Sequence, residues 1–145
     1  MRITVPSRRV QAFTLAELAV AMALTGMMVA AIVSGFLQAA NQAEWSAYSF
    51  AAQAQALRSL EQVRAAPWDP MGSVDQVQTA NFPPVVDILD VPASRNNIVW
   101  ATNTTTITLI TNRPPLKLVA VETTWRFMKR GLYTNSVRTY RTTDQ

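Results

Sequence analysis

The chain has 145 residues, enough for about one domain, and only 15% of them are charged, where average usage is about 25%. Neither cysteine nor histidine occurs, which excludes disulfides, thiol nucleophiles, Ser-His-Asp and Cys-His catalysis and HExxH zinc sites. The net charge of +4 and pI near 10.1 invite a nucleic-acid reading. Arg2, Arg8 and Arg9 supply three of those charges, however, and the remaining ten basic residues face nine acidic ones. A conventional enzyme is not expected, and no cofactor or metal is implied.

From Leu18 to Leu37 the run LAVAMALTGMMVAAIVSGFL carries no charge over twenty residues, about the ~20 needed to cross a bilayer as a helix. The next charge is Glu44. Three arginines and no acid precede the run, so the positive-inside rule predicts one span with the N-terminus cytoplasmic and the C-terminus outside. A cleaved secretory signal is the competing reading, with Ala39, Ala40 and Ala43 as small residues for a signal peptidase. Its apolar core spans about 7–15 residues, shorter than this run.

Glu17 stands at the head of that run. A carboxylate costs about 2.5 kcal/mol or more at the bilayer centre and less near the interface, so an intramembrane acid marks a functional site with a positive partner to be found. The nearest upstream charge, Arg9, is eight residues away.

The segment Ala12-Phe13-Thr14-Leu15-Ala16-Glu17, after a short basic leader and before the apolar run, resembles the class III signal of type IV pilins and type II secretion pseudopilins. The resemblance implies that a prepilin peptidase cuts between Ala12 and Phe13 on the cytoplasmic side and N-methylates Phe13. Such a cut places an α-amine four residues from Glu17, about one helical turn. By the same resemblance, Glu17 pairs with the amine of a neighbouring subunit and sets register during assembly, within the motif Phe13, Thr14, Leu15 and Glu17. The family usually has Gly before the cut where this chain has Ala12, and processing is expected to survive that change. A helix-loosening Pro is also missing, since no Pro lies between Pro6 and Pro67. Gly26 and Gly35 are the weak points of that stretch.

Beyond the span, NQAEWSAYSFAAQAQALRSLEQVRAA is rich in helix formers up to Pro67. A single helix from residue 13 to 66 would be about 80 Å long. Trp45, Tyr48, Ala52, Ala56, Leu60 and Val63 recur at helical spacing and predict one apolar face. We assign that face to the chain's own sheet and filament contacts to the membrane half. Pro67-Trp68-Asp69-Pro70-Met71-Gly72 ends the helix. The stretch 73–97 is a connection with one short extended piece between Pro84 and Pro92, expected to cover a sheet edge or the helix.

Strands follow. Residues 98–101 and 104–111 are β-branched and aromatic, and an Asn-Arg-Pro-Pro turn comes after them. From 116 to 128 the alternation puts Val119, Val121, Trp125 and Phe127 on one face. Lys129-Arg130-Gly131 then turns into a last strand. The predicted class is α+β: a long N-terminal helix, transmembrane in its first half, packed on a C-terminal antiparallel sheet of roughly three or four strands. The expected divisions are leader 1–12, membrane or filament-core helix 13–40, outer helix 41–66, connection 67–97 and sheet 98–145. The tail pattern Val121-x-x-x-Trp125, turn, Tyr133-Thr-x-x-Val137-x-Thr-Tyr-Arg resembles I- and V-type minor pilins and pseudopilins, which lack a C-terminal disulfide.

Arg113, Lys117, Arg126, Lys129, Arg130, Arg138 and Arg141 face only Glu122 and Asp144 in the last third. A solvated face is the plain reading of this basic sheet, and a DNA-binding or acid-binding surface with Tyr133 and Tyr140 nearby is the sharper one. Asp69, Asp75, Asp87 and Asp90 lack the D-x-[DN]-x-[DN]-G spacing of a calcium loop. The favoured function is a minor pilin or pseudopilin, whose resemblance implies as partners the prepilin peptidase, other pilin or pseudopilin subunits, the inner-membrane assembly platform and the inner membrane itself. The alternative is a single-pass anchored binding module that never polymerises. Secretion, motility and DNA-uptake filaments share the motif, so it does not choose among them.

Overall fold

A computed structural model describes residues 14–69, 71–89, 91, 98–127 and 131–144. The chain divides into two units, residues 1–41 and 42–145. Helix α1 spans Leu15–Ala65, as expected for a run rich in Ala, Leu, Met, Gln and Glu with no internal Pro. From residue 14 to residue 40 its side chains lie exposed. The Thr25 hydroxyl donates to the Ala21 carbonyl at 2.7 Å, so the apolar run carries this hydroxyl with its own backbone as acceptor. By length and composition the helix is able to cross a membrane.

The second unit packs the outer part of α1 on a four-stranded antiparallel sheet of order β3-β4-β5-β6: β3 (Val85–Ile88), β4 (Trp100–Asn112), β5 (Pro115–Phe127) and β6 (Gly131–Thr142). The two pieces expected at 98–101 and 104–111 are one strand. The short extended piece after Pro84 is β3, which pairs Val85 with Asn103 and Ile88 with Trp100 at the β4 edge. Farther along that edge, the Thr79 hydroxyl accepts from the Ile107 amide at 3.0 Å and donates to its carbonyl at 3.4 Å. A side chain here does the work of a strand partner. Inside the connection, β1 (Trp68–Asp69) and β2 (Val74–Asp75) form a small hairpin.

Tyr48, Ala52, Ala56, Leu60 and Val63 are the buried face of α1, as their spacing predicts, with Trp45 half-buried beside them. They meet Ala101, Val119, Val121, Trp125 and Phe127 on the sheet, with Trp68, Val77, Leu89 and Val91 from the connection. Two alanines at the contact let helix and sheet approach closely, and the aromatic rings fill the space at one end. Trp125 stacks on Tyr133 at 5.2 Å and lies 5.9 Å from Tyr48. Its indole N–H donates to Asn135 Oδ1 at 2.8 Å, and Asn135 in turn donates to Ser49 on the helix, at 3.1 Å to the hydroxyl and 3.3 Å to the carbonyl. A second polar link joins Gln55 to the Ile88 carbonyl at 3.0 Å and to Asn103, which accepts from Thr123. Among the described residues no buried side-chain polar atom lacks a partner, and these two links fix the helix lengthwise on the sheet.

The helix C-terminus is closed from the far end of the chain. Arg141 donates to the Val63 carbonyl at 2.5 Å, setting a cation against the negative end of the dipole. Asp144 accepts from the Trp68 amide at 2.8 Å and from Arg141 at 3.0 Å, while its own amide donates to the Trp68 carbonyl. The Trp68 amide, and after it Arg141, hold the Asp144 carboxyl below the usual carboxylate range. A lowered folded value means that its contribution is in place above the ordinary pKa of about 3.9 and is lost as pH falls through the folded value. We therefore expect protection of the Trp68 amide from hydrogen exchange to drop below about pH 4. In Asp144→Asn that step should be gone; an unchanged step would assign it to another group.

Candidate assembly site at the head of the apolar helix

Thr14 and Glu17 build the start of α1. The Thr14 amide and hydroxyl both donate to Glu17 Oε2, each at 2.9 Å, and the Glu17 amide donates back to Thr14 Oγ1 at 3.3 Å. This is a capping box, with Thr14 as N-cap and Glu17 at the third helical position. It satisfies amides that the first helical turn otherwise leaves without partners and sets an anion at the positive end of the dipole. Glu17 Oε1 takes neither donor. A cut before Phe13 leaves every atom of the box in place, because Thr14 keeps its amide. The T-x-x-E spacing that specifies the box stands in the sequence itself, although the motif reading gives Thr14 no such role. Leu15 follows as the first helical residue, 86% exposed. The expected cleavage and methylation residues, Ala12 and Phe13, lie outside the described residues.

Residues 7–33 match a family model described as the prokaryotic N-terminal methylation motif. The match takes in the expected cut, Glu17 and most of the apolar run. The chain carries the N-terminal methylation motif of type IV pilin-like proteins. Its long helix on an antiparallel sheet is the α+β architecture expected of that family. No significant match is found among curated proteins or among solved structures.

The basic surface expected on the pilin-like sheet is corrected at two positions. Lys117 is buried, 7% exposed: its ammonium donates to both oxygens of Asp75, at 2.7 and 2.6 Å, and to the Val77 carbonyl at 2.6 Å. It also stands 4.5 Å from the centre of the Trp68 ring. Arg141 is the helix cap described above, its side chain 11% exposed. Strand alternation sends these two toward the helix, whereas Arg126 and Arg138 are exposed on the other face. Arg138 is 3.7 Å from Glu122. Arg126 pairs with Leu132 in register and Ala120 with Arg138, so the two exposed arginines are six residues apart along the sheet, roughly 20 Å. Lys129 and Arg130 lie outside the described residues. Among the described residues no cluster of basic side chains forms on the sheet.

Of the acidic residues weighed for a metal, Asp69 accepts from the Met71 amide, Asp87 from the Ile88 amide and Asp75 from Lys117. Asp90 is outside the described residues. The Asp75–Lys117 pair ties the β2 hairpin to β5. Because Lys117 is nearly dry while Asp75 is 37% exposed, we expect Asp75→Ala to destabilise the outer unit by about 1–3 kcal/mol, part of the pair's strength being lost to solvent screening. The double variant Asp75→Ala/Lys117→Met should be more stable than Asp75→Ala alone, since it removes the buried charge left without its counter-ion. Urea denaturation of the detergent-solubilised chain measures both, and a double variant no better than the single one would refute the account.

Proposed function

We propose that this chain is a minor pilin or pseudopilin, a non-catalytic filament subunit of the inner membrane with its N-terminus cytoplasmic and its sheet periplasmic. Prepilin peptidase cuts before Phe13 and N-methylates it. The assembly platform then moves the subunit from the bilayer into a filament with other pilin or pseudopilin subunits. The carrying observation is the Glu17 carboxylate on the first turn of α1, at the head of the twenty-residue uncharged run, anchored through Oε2 and four positions along the sequence from Phe13. One oxygen is held by the subunit's own Thr14, and the other faces the amine of a neighbour. The absence of cysteine supports the minor-pilin and pseudopilin types over disulfide-closed major pilins.

Intact-mass and N-terminal sequencing of the protein from membranes of a native host tests the reading. The expected product starts at N-methylated Phe13. A chain retaining residues 1–12, or one cut near Ala40 and released in soluble form, refutes it.

A further inference from the structure

The sheet has a second face, turned away from α1, and one end of it is apolar. Ile88 pairs with Trp100, and Arg126 pairs with Leu132. The β4–β5 register, continued one step past the Ala101–Trp125 pair, sets Trp100 opposite Arg126. Each of the four alternates with a buried or half-buried neighbour, Leu89, Ala101, Trp125 or Tyr133, so they form one row across all four strands. At about 4.8 Å between strands the row is about 14 Å wide. Trp100 is 58% exposed and Leu132 67%, and Ile98, which precedes β4 with the same parity, is exposed as well. Among the described residues Arg126 has no acidic partner. Farther along the face the rows turn polar: first Thr102, Thr124 and Thr134 with Val86 at the margin, then Thr104, Glu122 and Ser136.

The apolar row lies at the end of the outer unit where the chain enters it. Trp45 is 6.0 Å from Tyr133, the neighbour of Leu132. Trp45 follows Leu37, the last residue of the uncharged run, by eight positions, about 12 Å of helix. Anchoring through that run keeps lipid headgroups at a high local concentration beside this row, an advantage that no soluble partner shares. The residue types match that environment. Tryptophan is enriched at the level of the headgroups, isoleucine and leucine bury apolar surface, and an arginine lays its stem along apolar neighbours while its guanidinium takes a phosphate with two parallel hydrogen bonds.

We propose that the Ile88–Trp100–Arg126–Leu132 row docks on the phospholipid headgroups of the outer leaflet beside the anchor, with Arg126 on a lipid phosphate, in a subunit that has not yet assembled. The inference rests on the membrane-anchored part of the reading above. Docking removes a tryptophan and a leucine from water and supplies the anion that Arg126 lacks. Extraction into a filament breaks the contact, so the row raises the barrier to leaving the bilayer.

The cysteine-free chain suits a site-specific test. Full-length single-cysteine variants Leu132→Cys, Thr106→Cys and Leu24→Cys carry an environment-sensitive fluorophore in nanodiscs of phosphatidylethanolamine and phosphatidylglycerol, one chain per disc. Quenching by lipids with a spin label near the headgroup is then read. Position 106 is the control, exposed on β4 six residues beyond Trp100, roughly 20 Å along the strand. Quenching at 132 is expected at least about threefold above that at 106, as for a residue at headgroup level. Arg126→Gln should lower the docked-to-free ratio about fivefold, in a chain whose urea midpoint matches the parent. A dark control at 106 with an equally dark 132, while Leu24→Cys is quenched, overturns the docking and leaves the anchor standing. If 132 is instead shielded only in sheared filaments, the row belongs to a neighbouring subunit and the lipid contact is wrong. Equal quenching at 132 and 106 overturns it as non-specific collapse, and an unchanged ratio in Arg126→Gln overturns the phosphate contact. Absence of quenching at Leu24→Cys overturns the anchor and the docking together.

Discussion

Glu17→Ala is expected to leave cleavage before Phe13 intact and to reduce the chain in sheared filaments at least about tenfold, the effect of losing roughly 1.4 kcal/mol of subunit affinity. The variant is more apolar than the parent, so its insertion into the membrane is not weakened. Two contributions disappear together in Glu17→Ala: the charge proposed to pair with a neighbour's amine, and the acceptor that closes the capping box with Thr14. Glu17→Gln separates them, since glutamine serves at this position of a capping box without carrying charge. The ion-pair account expects Glu17→Gln to be depleted from filaments as severely as Glu17→Ala. Recovery of assembly in Glu17→Gln would show that helix capping, and not charge, is what Glu17 supplies. Quantifying cleaved chain in membrane and filament fractions of the same cells decides between them.

Trp125→Ala is the most damaging single change expected in the outer unit. Trp125 is 1% exposed, packs on Tyr48, Phe127 and Tyr133 and donates to Asn135. Truncating a buried tryptophan to alanine costs about 3–5 kcal/mol, a large share of the ~5–15 kcal/mol that holds a domain together. Trp125→Phe keeps much of the apolar area and loses the indole N–H, so its cost should be smaller, about 1–3 kcal/mol for Asn135 Oδ1 left without its donor. Urea titrations of the detergent-solubilised chain, followed by near-ultraviolet circular dichroism, give both values. A Trp125→Ala loss under about 1 kcal/mol would show that this aromatic cluster does not hold helix to sheet. The filament defect of Trp125→Ala should follow its unfolding, whereas that of Glu17→Ala should appear in a chain whose outer unit melts normally.

The features legible in the sequence are those set by neighbours close along the chain. Thr14 and Glu17 form their box across three positions, so the motif contains all the atoms needed. The stripe from Tyr48 to Val63 and the alternation from Val119 to Phe127 also specify their buried faces, because a helix repeats at 3.6 residues and a strand at two. The same strand parity already sets Lys117 beside Val119 and Val121, on the inward side. A count of basic residues along β5 and β6 overlooks that parity and gathers onto one surface charges that the pleat sends to opposite faces.

What sequence by itself determined is the apolar run, the carboxylate at its head, the methylation motif and the alternation of helix and strand faces, all products of short-range spacing and composition. Only the tertiary structure decided which charges remain available. Asp75 meets Lys117 across 42 positions and Arg141 meets Val63 across 78, and no local periodicity encodes either meeting. It likewise decided that β3 and Thr79 close the β4 edge, and that Phe50 stays outside the core while Tyr48, two residues away, is buried. Folding brings distant groups together wherever burying apolar surface outweighs the entropy of closing the chain, and the polar partners are then set by that packing.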